Sequence, residues 1–351
     1  MTRSLFTLKT SFNIRALTPR FVFRINNLEM QVTRNIFARV EDGDGFAGHG
    51  EGAPSRFYGE HVDEVLAKLH GAAQWLRGAE ARSVADIESA WDDGWEILKP
   101  YRAAQSALDL ALWDLAAKRG GMSVTELATG EKPRPVKTFV TIGLSDADEL
   151  KTKVAELRGF PLIKVKMDHG VDLDALRFIR EETQAALAVD ANRAWSGVDV
   201  PSLSEQLAVL GVVFIEQPLP VEEAARMEEI LPRSRLPIIA DESCATLEDI
   251  ERMAGRFTGF NMKLSKCGGL TPALRMLKRG RELGLRVMVG CRLESSLGIA
   301  AGAVVAQNAD YADLDGAWLL GDDPFTGLPL LRGELALADK PGFGVHPRDG
   351  L

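Results

Sequence analysis

Eight charged side chains punctuate this 351-residue chain at spacings that could bring them together: Lys164, Lys166, Asp190, Glu216, Asp241, Lys266, Asp313 and Asp315. Asp190, Glu216 and Asp241 form an all-oxygen donor set, which suits Mg²⁺ completed by water and substrate oxygens. Any one of them alone could cap a helix or pair with a lysine. The five histidines stand apart from this series, so a histidine-rich zinc site is not expected. Lys164 and Lys166 are two apart on an apolar segment and so share one side of a pleat. Crowding two ammonium groups near a divalent cation is expected to lower their pKa towards that of a usable base. Lys266 then faces Lys166 across a bound substrate, and two bases on opposite sides of one carbon can invert it. The proton they would move lies α to a carboxylate, where Mg²⁺ can offset the second negative charge that develops.

Such convergence requires a scaffold in which successive strands end at one mouth. From Val136 onward, β-branched segments alternate with amphipathic stretches, as in βα units around a parallel sheet. The strands are read at Val136–Ile142, 162–166, 187–190, 212–216, 238–241, 261–264, 286–289 and 311–315. Asp190, Glu216 and Asp241 lie about 25 residues apart, roughly what a strand, a helix and two loops need in a modified TIM barrel. Polar residues at the strand ends are then the active-site candidates. An open doubly wound sheet would carry an early Gly-rich phosphate turn, which is missing from the chain.

Residues 1–120 read as an α+β capping domain. Phe21–Ile25 and 36–41 are read as meander strands, Gly43 to Gly52 as a glycine-dense turn region, and Ala104 to Lys118 as a helix with one buried stripe. Residues 121–319 make the barrel, and the Pro- and Gly-rich tail 320–351 is expected to pack back on the cap. The composition is ordinary for a globular protein, with 46% hydrophobic and 26% charged residues. A net charge of −8 disfavours a nucleic-acid partner and leaves a small-molecule substrate. The first residues lack a secretory apolar core, and no run is long enough to span a bilayer, so a cytoplasmic protein is expected. Cys244, Cys267 and Cys291 are read as reduced thiols.

Several segments together resemble the muconate-lactonising-enzyme subgroup of the enolase superfamily, and within it the dipeptide epimerases of the L-Ala-D/L-Glu type. They are Gly50-Glu51-Gly52-Ala53-Pro54, Ala107 to Asp114, Lys164-Val165-Lys166, Asp190-Ala191-Asn192, Glu216-Gln217-Pro218, Asp241-Glu242-Ser243 and Asn261 to Gly269. The resemblance implies a (β/α)₇β barrel under an α+β cap. It implies Mg²⁺ held by Asp190, Glu216 and Asp241, with Lys166 and Lys266 as the acid–base pair. Lys164 would support the first lysine and the bound carboxylate. Asp313 and Asp315 would hold a dipeptide's α-ammonium. The cap-loop arginine of the Ala-Glu enzymes has no counterpart in Asn26-Asn27-Leu28-Glu29-Met30, which leaves Arg24, Arg56 or Arg292 as substitutes. Glu29 there would favour a basic side chain, and Leu28 with Met30 an apolar one.

Two other readings share the same residues. An N-acylamino-acid racemase or o-succinylbenzoate synthase would use the same metal and lysines, but neither substrate offers a cation for Asp313 and Asp315. A non-catalytic binding barrel has no need of opposed bases. A homo-oligomer is compatible with all of these.

Overall fold

The computed structural model describes residues 8–25, 28–76 and 78–348. The cap begins with β1 (Lys9–Leu17), β2 (Phe23–Ile25), β3 (Leu28–Met30), β4 (Thr33–Glu41) and β5 (Ala47–Gly52). β1, β4 and β5 form an antiparallel sheet in that order, and β2 pairs with β3 as a separate ribbon. Helices α1 (Val62–Leu76), α2 (Val84–Leu98) and α3 (Arg102–Gly120) follow. On α1, buried Val65, Leu69, Ala72 and Leu76 recur at helical spacing, and Ser83 with Asp86 starts α2 through a capping box.

Two features of the cap depart from expectation. Helix α3 is buried on every side from Ala103 to Ala117 rather than along one stripe, because the cap strands cover one face and the barrel another. The glycine-dense region is largely a strand, and only Gly43 and Gly45 lie in the turn. A Cβ on Gly48, Gly50 or Gly52 would stand 2.0 Å from the carbonyl oxygen of Ala111, Ala107 or Ala103 respectively. Two residues of strand advance the chain about as far as four of helix, so every second residue of β5 meets every fourth of α3, backbone against backbone.

Next come α4 (Val124–Thr129), β6 (Val136–Lys137) and β7 (Val140–Ile142). What reads as one strand is thus two: β6 leaves the barrel to pair with the tail, and β7 enters it. The repeat continues with α5 (Ala147–Glu156), β8 (Leu162–Lys166), α6 (Leu173–Glu182), β9 (Ala186–Asp190), α7 (Val200–Val209) and β10 (Val212–Glu216). Then follow α8 (Met227–Ile230), β11 (Ile238–Ala240), β12 (Gly259–Lys263), α9 (Leu264–Cys267), α10 (Leu270–Glu282), β13 (Arg286–Gly290), α11 (Ser296–Ala306) and β14 (Tyr311–Asp313). The crossover from β11 to β12 is a 3₁₀ turn, Leu247–Met253, not an α-helix. Strands β7 to β14 pair in sequence order in one parallel sheet, and Phe139 donates its N–H to the Ala312 carbonyl at 2.8 Å across the seam. The fold is a (β/α)₇β barrel with an N-terminal α+β cap.

The tail carries β15 (Phe325–Thr326), β16 (Leu330–Leu331), β17 (Glu334–Leu335) and β18 (His346–Pro347). β17 pairs with β6, Phe325 stacks on Phe37 of β4, and the Phe343 N–H reaches Asp114 of α3 at 3.0 Å. Among the described residues no helix is long and apolar enough to cross a membrane.

Candidate active site

Inward-facing residues of the barrel strands alternate with outward ones, so the inward side chains stack in levels along the barrel axis. The lower level is apolar: Phe139, Ala188, Phe214, Ile239 and Met288 form a closed cluster, with Phe139 and Phe214 edge to face at 5.4 Å. Two residues further along the same strands come Thr141, Asp190, Glu216, Asp241 and Gly290. The charged mouth therefore rests on a greasy floor that seals it from below. Register aligns the level: Lys166 lies opposite Asp190, and Asp190 opposite Glu216.

The strand ends turn sharply at residues with positive φ, namely Asn192 (43°), Arg193 (69°) and Gln217 (37°). Such backbone is costly for these residue types, so the surroundings must enforce it. Gln217 is held at both ends of its amide: its Oε1 accepts from the N–H groups of Asp241 and Ser243 at 2.9 and 3.1 Å, and its Nε2 donates to the Leu219 carbonyl at 2.8 Å. This clamp ties the end of β10 to the loop after β11.

Lys164 is fully buried and donates to Asp313 by a short contact and to Glu216 at 3.1 Å, with Asp190 at 3.5 Å. Lys166 donates to Asp190 at 2.6 Å. Lys266 donates to the Asp241 carboxylate at 2.8 Å and to the carbonyls of Asp241 and Asn261 at 2.7 and 2.6 Å. Lys166 on β8 and Lys266 after β12 are four strands apart in the eight-stranded ring, hence on opposite sides of the mouth.

Burial pulls Lys164 down, but Asp313, Glu216 and Asp190 hold it well above its ordinary value, and Asp241 likewise outweighs burial at Lys266. Lys164 and Lys166 share one oxygen of Asp190, at 3.5 and 2.6 Å. Burial raises Asp190 and Asp241, yet Lys166 with Lys164 keeps the first low, and Lys263 with Lys266 keeps the second lower still. At Glu216 burial and the neighbouring Asp190 charge win, pushing the carboxyl to about 7.

Asp313 and Asp315 are bridged by Thr141, whose N–H reaches Asp315 at 2.6 Å and whose hydroxyl reaches Asp313 at 3.3 Å. Burial and Asp313 raise Asp315 to about 6. Beyond Thr141 lies an open cleft bounded by Phe21, Gly143, Lys153, Trp318 and Leu319.

Of the three arginines, Arg56 is exposed on the 3₁₀ turn Arg56–Tyr58. Arg24 on β2 pairs with Glu149 of α5 at 2.8 Å. Arg292 donates to the Ala53 carbonyl of the cap and lies over the Tyr58 ring, 5.5 Å from its centroid. Asn26, Asn27 and the side chains of Leu28 and Glu29, on which the cap-loop reading rests, lie outside the described residues. Sequence reasoning missed Lys263, which donates to Asp241 at 2.8 Å, and Asn261, which donates to Glu216 at 2.7 Å. Their signal was parity, since both are inward positions of the strand that precedes Lys266.

The donor chemistry around Asp190, Glu216 and Asp241 fits a hard divalent cation: three buried carboxylates, mutually repelling, supply oxygen and nothing else. Among the described residues no three acidic, histidine or cysteine side chains already form a closed ligand group. Asp190 and Asp241 are turned to lysines, which must give way for all three to share one ion.

Residues 146–351 match the enolase C-terminal domain-like family, and residues 12–128 the mandelate racemase / muconate lactonizing enzyme N-terminal domain. The chain is 36% identical over 333 residues to an L-Ala-D/L-amino acid epimerase of Flavobacterium johnsoniae, covering 94% of this chain and 96% of that one. It is 35% identical over 346 residues to a hydrophobic dipeptide epimerase of Roseobacter litoralis, covering 96% and 98%. Among solved structures, the dipeptide epimerase of Methylococcus capsulatus complexed with Mg and the dipeptide L-Arg-D-Lys superposes with a TM-score of 0.89 at 30% identity, covering 97% and 99%. With both halves matched and the barrel mouth carrying the opposed lysines and carboxylates described above, the chain belongs to the mandelate racemase and muconate lactonizing enzyme family of the enolase superfamily.

Proposed function

We propose that this protein is a Mg²⁺-dependent dipeptide epimerase that inverts the α-carbon of the C-terminal residue. The observation that carries this reading is the placement of Lys166 and Lys266 on opposite sides of one mouth, with three buried carboxylates on the strands between them. The named activities of the relatives support it.

In this reading Asp190, Glu216 and Asp241 hold the ion, and the substrate carboxylate lies against it beside Lys164. Mg²⁺ bound there supplies positive charge that offsets the second negative charge developing on the substrate carboxylate. Lys166 takes the α-proton from one face, and Lys266 returns one to the other; for the opposite epimer the roles exchange. Asp313 and Asp315 receive the substrate's α-ammonium. Asp313 already accepts a buried lysine ammonium, which supports its fitness for that task. The amino-terminal residue of the dipeptide then lies toward the cleft past Thr141. Arg24 is paired with Glu149, so an acidic substrate side chain would compete with that carboxylate for it. Arg292, through its contacts with Ala53 and Tyr58, acts on the substrate by holding the cap loop. We place the protein in the reducing cytoplasm, which its three free thiols suit.

Incubating a dipeptide library with the protein and Mg²⁺ in D₂O should introduce one deuterium at the α-carbon of the preferred substrates, read by mass spectrometry. Chelation should abolish exchange and Mg²⁺ restore it. Exchange that persists in verified metal-free protein would refute the mechanism.

A further inference from the structure

The two proposed bases are carried differently. Lys166 belongs to β8, which pairs with β7 on one side and β9 on the other, so its backbone is set by barrel hydrogen bonds. Lys266 lies past the end of β12, on the four-residue helix α9, ahead of Gly268 and Gly269 with φ of 106° and 124°. One turn of helix followed by two glycines cannot hold its own shape. Something else must fix it.

Barrel acceptors hold the Lys266 ammonium, and the cap holds the segment on either side of it. The Ala53 N–H, just past β5, donates to the Ser265 hydroxyl at 3.0 Å, and that hydroxyl donates in turn to buried Glu294 at 2.6 Å. Glu294 is in turn followed by Ser295, whose N–H and hydroxyl are bound by Glu51 of β5. At the other end of the segment, Trp91 of α2 donates its indole N–H to the Gly268 carbonyl at 3.0 Å. Asp109 of α3 accepts from the Thr271 N–H and hydroxyl at 3.0 and 2.5 Å, and Trp113 donates to the same hydroxyl at 2.9 Å. Residues 265–271 are bracketed by cap groups on both flanks of Lys266.

We propose that the cap positions Lys266, with Ser265 and Trp91 as positioning residues, so that the cap governs proton transfer on one face of the substrate while the barrel alone governs the other. This rests on the two-lysine reading above. The effect should be large for its size, because displacing a reacting group by about an ångström costs on the order of a hundredfold in rate.

The test is solvent deuterium exchange into each pure epimer by proton NMR, with the Mg²⁺-loaded protein. Lys166→Ala and Lys266→Ala first establish which epimer each lysine serves. Ser265→Ala and the milder Trp91→Phe should then slow exchange of the Lys266 epimer by about tenfold or more and that of the Lys166 epimer by less than about threefold. Amide hydrogen exchange of residues 264–271 should quicken in both variants. A parallel loss on both faces, as general loosening would give, or no loss on either, overturns the positioning role. If the two lysine variants fail to select opposite epimers, the two-base reading itself fails, and the positioning claim falls with it.

Discussion

The barrel mouth and the seam between β5 and α3 are both largely buried, yet they are built in opposite ways. At the mouth the lysines stand against carboxylates: Lys164 against Asp313 and Glu216, Lys166 against Asp190, Lys263 and Lys266 against Asp241. In the seam Gly48, Gly50 and Gly52 bring the strand backbone directly against helix carbonyls. Buried ion pairs return little net stability once desolvation is counted, whereas close backbone packing tolerates no added atom. The lesson is a division of labour: the mouth holds the chemistry, and the seam fixes the cap that overlies it.

The comparison can be broken most directly at the lysines. Lys166→Ala and Lys266→Ala should each reduce epimerisation by roughly 10²–10⁴-fold while leaving a folded protein, measured as turnover alongside thermal unfolding. Near wild-type interconversion in either would remove that residue from the acid–base role. At the seam the signs reverse. Gly50→Ala places a methyl 2.0 Å from the Ala107 carbonyl oxygen, so denaturant unfolding should lose about 3 kcal/mol by overpacking, and an unchanged midpoint would mean that the seam can open.

A finer test concerns the two aspartates. Asp313→Asn or Asp315→Asn should weaken free-amine dipeptides by about 1–3 kcal/mol, with N-acylated analogues little affected. Equal losses for both classes would reject the ammonium site and favour an acylated substrate. The smallest effect is on pH. Burial and Asp313 hold the Asp315 carboxyl at about 6, and an ammonium needs the ionised form. As pH falls through about 6 the carboxyl takes up a proton, so kcat/KM for free-amine dipeptides should fall. A bound ammonium stabilises the carboxylate, so kcat should hold to lower pH. Coincident profiles would show that Asp315 does not contact the cation.

Much of the barrel was legible because inward and outward residues alternate with period two, and strand ends at equal spacing announce a common mouth. That is why Asp190, Glu216 and Lys166 could be read from spacing and then found in register. The same periodicity hides what depends on a partner far away. Gly48, Gly50 and Gly52 look like a turn until α3 is laid against them. β1 escaped notice because its burial does not alternate cleanly along Lys9–Leu17. The break between β6 and β7 is set by β17, about 200 residues further on. Arg24 illustrates a last limit: a flanking cation looks free in sequence, but Glu149 of another element binds it.

The tail's clasp on the cap bears on how the chain acquires its structure. Phe343 binds Asp114 across 229 residues, and Gly342 closes on Met122 and Val124. Gly333 and Leu335 meet Thr138 and Val136 at the start of the barrel. Segments of the cap and the barrel's start therefore wait for partners some 200 residues later in the chain, with their apolar faces uncovered meanwhile. Contacts of such long range slow folding and expose intermediates to aggregation, so this chain should reach its native state slowly.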